Sequence, residues 1–345
     1  MNSKKKLMKM NKEGKGYMYF FNGRNTDPHY NLAFEEYFFM TPPEDEAFFL
    51  LWQNDRAVIV GKNQNTIEEI NQRYVDENGI KVVRRNSGGG AVYHDLGNLN
   101  FSFIQKNEDN SKLDMRTFAI PVINALAKLG VRAEFSSRND MIINGRKFSG
   151  MAQAISKGRV LHHGTLLFDS DLSVVQDALN VKDIKVESKG IKSVKSRVTN
   201  ISEHLDQKID IEEFRRLLVK NMFNQGELKE YRLTDDDERQ INKLKAEKYD
   251  LWEWNYGRSP EYEMKKEKKF DCGIITAYID VKKGVVSNIR FYGDFFGVKD
   301  IKELEEKLRG TKFRYQELYD TLAPNNVGKY ISGITAEELA EYMIY

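Results

Sequence analysis

The run best suited to chemistry is Arg84–Asn98, RRNSGGGAVYHDLGN. Three consecutive glycines, Gly88, Gly89 and Gly90, cost backbone entropy, but they open positive φ and let several amides converge on one anion. Arg84, Arg85 and Ser87 add charge and donors beside them. A carboxylate, a phosphate or both fit such a nest. A glycine hinge or bulge flanked by two surface arginines reads the same residues without a ligand. No Gly-Lys-Ser/Thr follows, so this is not a Walker loop, and no helix opens directly after it, so it is not a dinucleotide fingerprint.

A second run, NDMIINGRKFSGMAQA, carries Lys147 just past Asn144-Gly145, on a strand dense in small residues where a ligand could approach closely. A solvated edge lysine is the plainer alternative. Asp140, at the far end of the same hairpin, is a candidate ligand for Mg²⁺, which takes one or two carboxylates together with phosphate oxygens. His162 and His163 are neighbours on a strand and point to opposite faces, so they cannot grip one metal together. One should line a pocket while the other packs or meets solvent, and His94-Asp95 has the same ambiguity. The basic stretch KGIKSVKSRVTN, Lys189 to Asn200, reads either as a loop closing over phosphates or as an ordinary surface connection. Cys272 is the single cysteine. It rules out an internal disulfide and any Cys-rich metal site, and it reads as a buried strand thiol in a reducing compartment.

These residues need a scaffold. Periodicity and turn chemistry predict a strand at GYMYFF and a helix starting at Asp27-Pro28 with NLAFEEYFF as its amphipathic face. They then predict the strand AVIVGKNQ, a helix from Ile67 to Glu77, and the strands KVVRR, AVYHD and NLNFSFIQ. A helix from Met115 to Leu129 follows, with Gly130 as its stop and Pro121 implying a kink or a later start. Asn144-Gly145 is a strong hairpin signal, HHGTLLF is a further strand, and helices follow at Leu172–Leu179, Ile211–Phe223 and Asp235–Asp250. Beyond a composition break near Gly257–Pro260, ITAYIDV and VVSNIRFY pair across Lys282–Gly284. Helices at Ile301–Leu308 and Thr335–Met343 end the chain, the last opened by a Thr335/Glu338 capping box. Strands and helices without strict alternation argue α+β.

The division expected is a disordered basic leader over 1–16, a large catalytic domain over 17–257, a linker over 258–262 and a small α+β domain over 263–345. At 345 residues the chain exceeds a usual single core. A net charge of +2 gives no global drive toward nucleic acid or anionic lipid. No apolar run approaches a membrane span, and the leader MNSKKKLMKMNKEGKG lacks the apolar stretch of a secretory signal. A cytoplasmic home follows.

Together, RRNSGGGAVYHDLGN, NDMIINGRKFSGMAQA, HHGTLLF, KGIKSVKSRVTN and WEWNYG resemble the lipoate–protein ligase A family. They occur in family order over nearly all of residues 17–257, and the tail resembles the family's accessory domain more loosely. The resemblance implies a large mixed-sheet domain of the biotin/lipoate ligase fold plus a small α+β C-terminal domain. It implies ATP and Mg²⁺ as substrate and activating ion, a lipoyl- or octanoyl-adenylate, and transfer to a lysine. The acceptors would be lipoyl domains of 2-oxoacid dehydrogenase E2 subunits or the glycine-cleavage H protein. Carried over by position, Arg85, Ser87, Gly88, Gly89, Lys147 and His163 would bind lipoate. Arg85, Gly90, Ala91, Val92, Tyr93 and Lys147 would bind ATP, with Lys147 the catalytic group and Asp140 the metal ligand. The rivals are a lipoyl or octanoyl transferase using a cysteine, for which Cys272 is the sole thiol; a biotin ligase, whose Gly-Arg-Gly-Arg-type loop is absent; and a non-catalytic binder of lipoyl proteins.

Overall fold

The computed structural model describes residues 9–10, 16–42, 47–107, 114–136, 139–179, 198–224, 227–256, 264–282, 285–313 and 315–344. Its strands, in chain order, begin with β1 (Lys9–Met10), β2 (Gly16–Asn22), β3 (Phe48–Trp52), β4 (Ala57–Val60) and β5 (Lys81–Arg84). Next come β6 (Val92–His94), β7 (Asn98–Lys106), β8 (Ala133–Phe135), β9 (Asp140–Ile143) and β10 (Arg146–Ser156). The last are β11 (Arg159–Leu167), β12 (Leu228–Glu230), β13 (Met264–Phe270), β14 (Gly273–Lys282) and β15 (Val285–Gly293).

Among the described residues, nine strands form one large mixed sheet in the order β1-β2-β3-β7-β11-β10-β9-β8, with β12 beside β2. β2 runs parallel to β3 and β12, while β3, β7, β11 and β10 pair antiparallel in turn. One face packs on α4 (Arg116–Ala127) and on the helix Ile211–Met222 through Phe49, Phe101, Phe103, Phe118, Phe214 and Leu218. The other face takes α1 (Pro28–Met40), with Phe34, Phe38 and Phe48 at its centre. A smaller sheet, β5-β4-β6, closes over that side. The C-terminal domain is a three-stranded antiparallel sheet, β13-β14-β15, under the helices Ile301–Leu308, Tyr315–Leu322 and Ala336–Ile344, with its own core.

Several sequence expectations hold. Asp27 caps α1, with Pro28 in its first turn. Asn144 and Gly145 both take positive φ, 49° and 75°, as a tight hairpin turn demands. Thr335 and Glu338 exchange their bonds as a capping box. Others need correction. α1 is buried on almost every side rather than amphipathic, because the large sheet, the small sheet and residues 235–254 all pack on it. The helix expected from Ile67 to Glu77 is split into Thr66–Glu69 and Gln72–Glu77 by Ile70, which bridges to Leu179. α4 begins at Arg116 and runs through Pro121, since Phe118, Ala119 and Val122 anchor it on both sides of the proline. Asp235–Leu244 is α-helical, but Lys245–Tyr249 widens to a π turn. The leader is not wholly unstructured, because Lys9 and Met10 pair with Tyr17 and Gly16. β13 and the helix Tyr315–Leu322 had no clear sequence signal. The break at 258–262 lies outside the described residues.

Candidate active site

The chain leaves β5 at Arg84 and must cross the end of β4 to enter β6. Gly61, just past β4, allows the crossing: a Cβ there would stand 2.0 Å from the Gly89 carbonyl oxygen. The Lys62 amide donates to the Ser87 carbonyl at 2.8 Å, and Gly89 takes φ +95°. Arg85 is buried beneath this loop. Its Nη2 donates to the carbonyls of Gly88 (2.7 Å) and Gly90 (2.9 Å), its Nη1 to the Ile59 carbonyl (3.1 Å) and its Nε to Ser87 Oγ (3.1 Å). With these carbonyls tied inward, the amides of Gly88, Gly89 and Gly90 donate to no protein acceptor among the described residues. Burial lowers Arg85 to about 10, with Glu35 opposing, so it stays cationic at neutral pH. Arg84 is spent on structure: it bonds the carbonyls of Gly61, Gln64 and Trp254 and the Thr66 hydroxyl. Neither arginine is a surface charge; both are buried and brace the loop through its carbonyls and those of its neighbours.

Ser87 connects the loop to the large sheet. Its Oγ lies 2.6 Å from His163 Nε2 on β11. His163 Nδ1 lies 2.9 Å from both carboxylate oxygens of Glu35 on α1, and Glu35 also accepts from Ser102 Oγ at 2.5 Å. Trp52 Nε1 donates to the same hydroxyl at 3.0 Å. Glu35 is 2% exposed, and sequence reasoning missed it because a glutamate on a helix normally faces water. His162 points to the opposite face and stacks on Phe118 at 4.2 Å, and burial holds it well below its usual pKa.

Lys147 arrives from the other side, on β10. A register shift between Lys147 and Ser149 marks a bulge in the β9–β10 hairpin, which re-aims the side chain. Gly150 leaves room for it: a Cβ there would meet Lys147 Nζ at 2.9 Å. The ammonium rests 2.7 Å from Asp140 Oδ1. The Thr199 amide donates to the Lys147 carbonyl at 2.9 Å, so Val198–Asn200 lies against this strand. The rest of the Lys189–Asn200 stretch lies outside the described residues.

Lys147, Arg85, Gly89, Gly90, Ala91, Val92 and His163 line one cavity of about 120 Å³, together with Leu32, Trp52, Ile59 and Met151. Ser87 and Gly88 do not line it; Ser87 faces His163, and Gly88 faces the C-terminal domain, where a Cβ would meet the Phe295 carbonyl oxygen at 2.4 Å. The Tyr93 side chain points the other way, into a cluster with Val58, Val60 and Ile70, since strand alternation separates it from Val92 and His94. Any contact Tyr93 makes in the cavity therefore falls to its backbone. His94 does line the cavity. Burial and Arg85 lower it to about 3, so it is neutral at pH 7. Asn54 Oδ1 accepts from Asn31, which turns Asn54 Nδ2 toward His94 Nδ1 at 3.1 Å. The ring proton then sits on Nε2, a buried donor with no protein partner among the described residues.

Among the described residues no three His, Cys, Asp or Glu side chains cluster as a metal cage. Asp140 is a lone carboxylate already facing Lys147. That fits a metal arriving with phosphate oxygens and not a resident ion. Cys272 sits in the turn before β14, half-buried beside Gly333, and not within a strand as expected; it does not line the cavity. Among the described residues no helix is long and apolar enough to cross a membrane.

Residues 27–223 match the lipoyl protein ligase A/B catalytic domain, and residues 259–343 match the bacterial lipoate protein ligase C-terminus. Lipoate-protein ligase LplJ of Bacillus subtilis is 48% identical over 332 residues, 95% of this chain and all of that protein. A bi-partite lipoate protein ligase of Thermoplasma acidophilum, solved in a study of an archaeal lipoylation system with its E2 lipoyl domain, superposes with a TM-score of 0.63. It is 31% identical and covers 72% of this chain and 99% of its own. A lipoate-protein ligase A bound with ATP gives a TM-score of 0.60 at 28% identity, over 70% of this chain and 99% of its own.

Proposed function

The chain belongs to the lipoate–protein ligase family, and on that premise we propose that it joins lipoate or octanoate to ATP as an acyl-adenylate. It then passes the acyl group to a lysine of an acceptor protein. The observation that carries this reading is the meeting of one ammonium, Lys147, with the open end of a glycine loop across a single small cavity. An acid and a nucleoside triphosphate are both anions, and bringing them together requires fixed positive poles. The glycine amides supply these without reorganising as charge builds, and Lys147 supplies a mobile one. Ala91, Val92 and the neutral His94, whose Nε2–H faces no protein acceptor among the described residues, complete the polar end, while Leu32, Trp52, Ile59 and Met151 suit an acyl chain.

In the first step a carboxylate oxygen attacks the α-phosphorus, the bond to the β-phosphate oxygen breaks, and pyrophosphate leaves. ATP enters as its magnesium complex, and Asp140 would contribute the one carboxylate to that ion. Lys147 would exchange Asp140 for phosphate and carboxylate oxygens as both substrates enter. In the second step the acceptor amine attacks the acyl carbonyl, AMP leaves with the electron pair, and the amine gives up a proton. The acceptor would be a lipoyl domain of a 2-oxoacid dehydrogenase E2 subunit or the glycine-cleavage H protein, in the cytoplasm. A thiol mechanism is disfavoured because Cys272 lies in the other domain.

Purified protein with ATP, Mg²⁺ and lipoate or octanoate should exchange labelled pyrophosphate into ATP only when the acid is present. Intact mass of lipoyl domains and H proteins should then show the acyl addition. Binding of lipoyl proteins without acid-dependent exchange would instead identify a non-catalytic partner.

A further inference from the structure

Behind the glycine loop, on the side away from the cavity, lies a second polar cluster that the reaction above does not use. Lys248 Nζ donates to both oxygens of Glu36 (2.9 and 2.7 Å) and to Asn86 Oδ1 at 2.8 Å. The three protons of an ammonium are thereby all engaged. Tyr249 Oη donates to Glu36 Oε2 at 2.6 Å and accepts from Asn86 Nδ2 at 2.7 Å. Both ends of the Asn86 amide are therefore held, one by each of two consecutive residues. A regular α-helix points neighbours about 100° apart. The π turn Lys245–Tyr249 is wider, and it brings Lys248 and Tyr249 onto the same carboxylate. The Trp254 ring supports the ammonium from 4.0 Å. The same short stretch also bonds Arg84: Asn255 Oδ1 accepts its amide, and Trp254 Nε1 donates to its carbonyl.

We infer that Lys248 is a positioning residue for the glycine loop, acting through Asn86 to set where the Gly88–Gly90 amides point. Lys248, Glu36 and Asn86 do not line the cavity shared by Lys147 and Gly89–Gly90; Asn86 and Lys248 line a cleft on the other side of the loop. Stability alone does not explain the cluster. Lys248 and Glu36 keep only 22% and 14% of their side chains exposed, and apolar residues of similar size serve a buried site as well as an ion pair does. What apolar residues cannot do is fix an amide by both its donor and its acceptor. Asn86 stands immediately before Ser87, so the bonds on its amide fix the start of the turn into the glycines, and the bonds on the Ser87 carbonyl and hydroxyl fix the next residue.

This inference rests on the loop being the nucleotide site. The test compares wild type, Lys248→Met, the double variant Glu36→Gln/Lys248→Met and Asn86→Ala in lipoate-dependent pyrophosphate exchange, with Tm measured on each. The double variant leaves no buried charge orphaned, and Asn86→Ala leaves the Glu36–Lys248–Tyr249 cluster whole. All three variants should raise the KM for ATP by about 10- to 100-fold, the scale of a misplaced binding group. The kcat at saturation and the lipoate Kd should change less than about threefold, because the cavity's own groups are intact. A folded Lys248→Met or Asn86→Ala protein with the wild-type KM for ATP overturns the inference. Should Lys248→Met not fold, Asn86→Ala decides alone. Wild type lacking acid-dependent exchange would instead remove the reading of the site on which this one stands.

Discussion

The two walls of the cavity are built on opposite plans. The glycine wall is held from behind on both sides of Gly89: Arg85 ties the Gly88 and Gly90 carbonyls, His163 and Glu35 hold Ser87, and Lys248 with Tyr249 holds Asn86. Opposite it stands one flexible side chain on a bulged strand, paired to one carboxylate and 37% exposed. Rigid amides and a movable ammonium suit different jobs. Amides are worth most when they need not rearrange, whereas an ammonium that must touch two substrates in turn has to be able to move.

The heaviest blow to this comparison is removal of the moving part. Lys147→Ala should lower lipoate-dependent exchange by about 10²–10³-fold, the scale of losing one electrostatic donor to the reacting oxygens. Lys147→Arg should restore it only partly, because a planar fork does not replace a compact ammonium. Next comes the fixed wall. Gly61→Ala sets a Cβ 2.0 Å from a backbone oxygen of Gly89, which cannot step aside, so exchange should fall about 10²-fold with the KM for ATP raised. Gly150→Ala is the matched insult to the other wall. Its Cβ meets only the tip of Lys147, which can swing away, so the loss should stay near 10-fold in the same assay. Equal losses at Gly61 and Gly150 would erase the distinction between the walls. Cys272→Ser should leave turnover within about twofold, since a half-buried thiol in the other domain takes no part; near-total loss would bring back a transferase.

Legibility in the sequence follows the same division. Local chemistry was readable: Asn144-Gly145 announces its hairpin, three glycines announce an open backbone, and a histidine doublet on a strand must split between two faces. The groups that hold the loop were not. Lys248 and Tyr249 lie far from Asn86 in sequence, as Glu36 does from both of them and Glu35 from His163, and they meet only because α1 and residues 245–255 pack beside the loop. Arg85 looked like a ligand-binding cation and is first a strut, because its donors find loop carbonyls before any anion. Tyr93 shared the motif but not the face. A strand such as MKKEKKF is legible only once its partner is known, since Lys265, Lys268 and Lys269 are solvated along the edge it occupies and no apolar alternation marks it.

The Lys147–Asp140 pair has a consequence for discrimination. With its charge already balanced by a neighbour, Lys147 offers a stray chloride or acetate little that water does not. An entrant has to be worth more to the lysine than the aspartate is, and a triphosphate, bringing several negative oxygens at once, meets that condition more readily than a lone carboxylate.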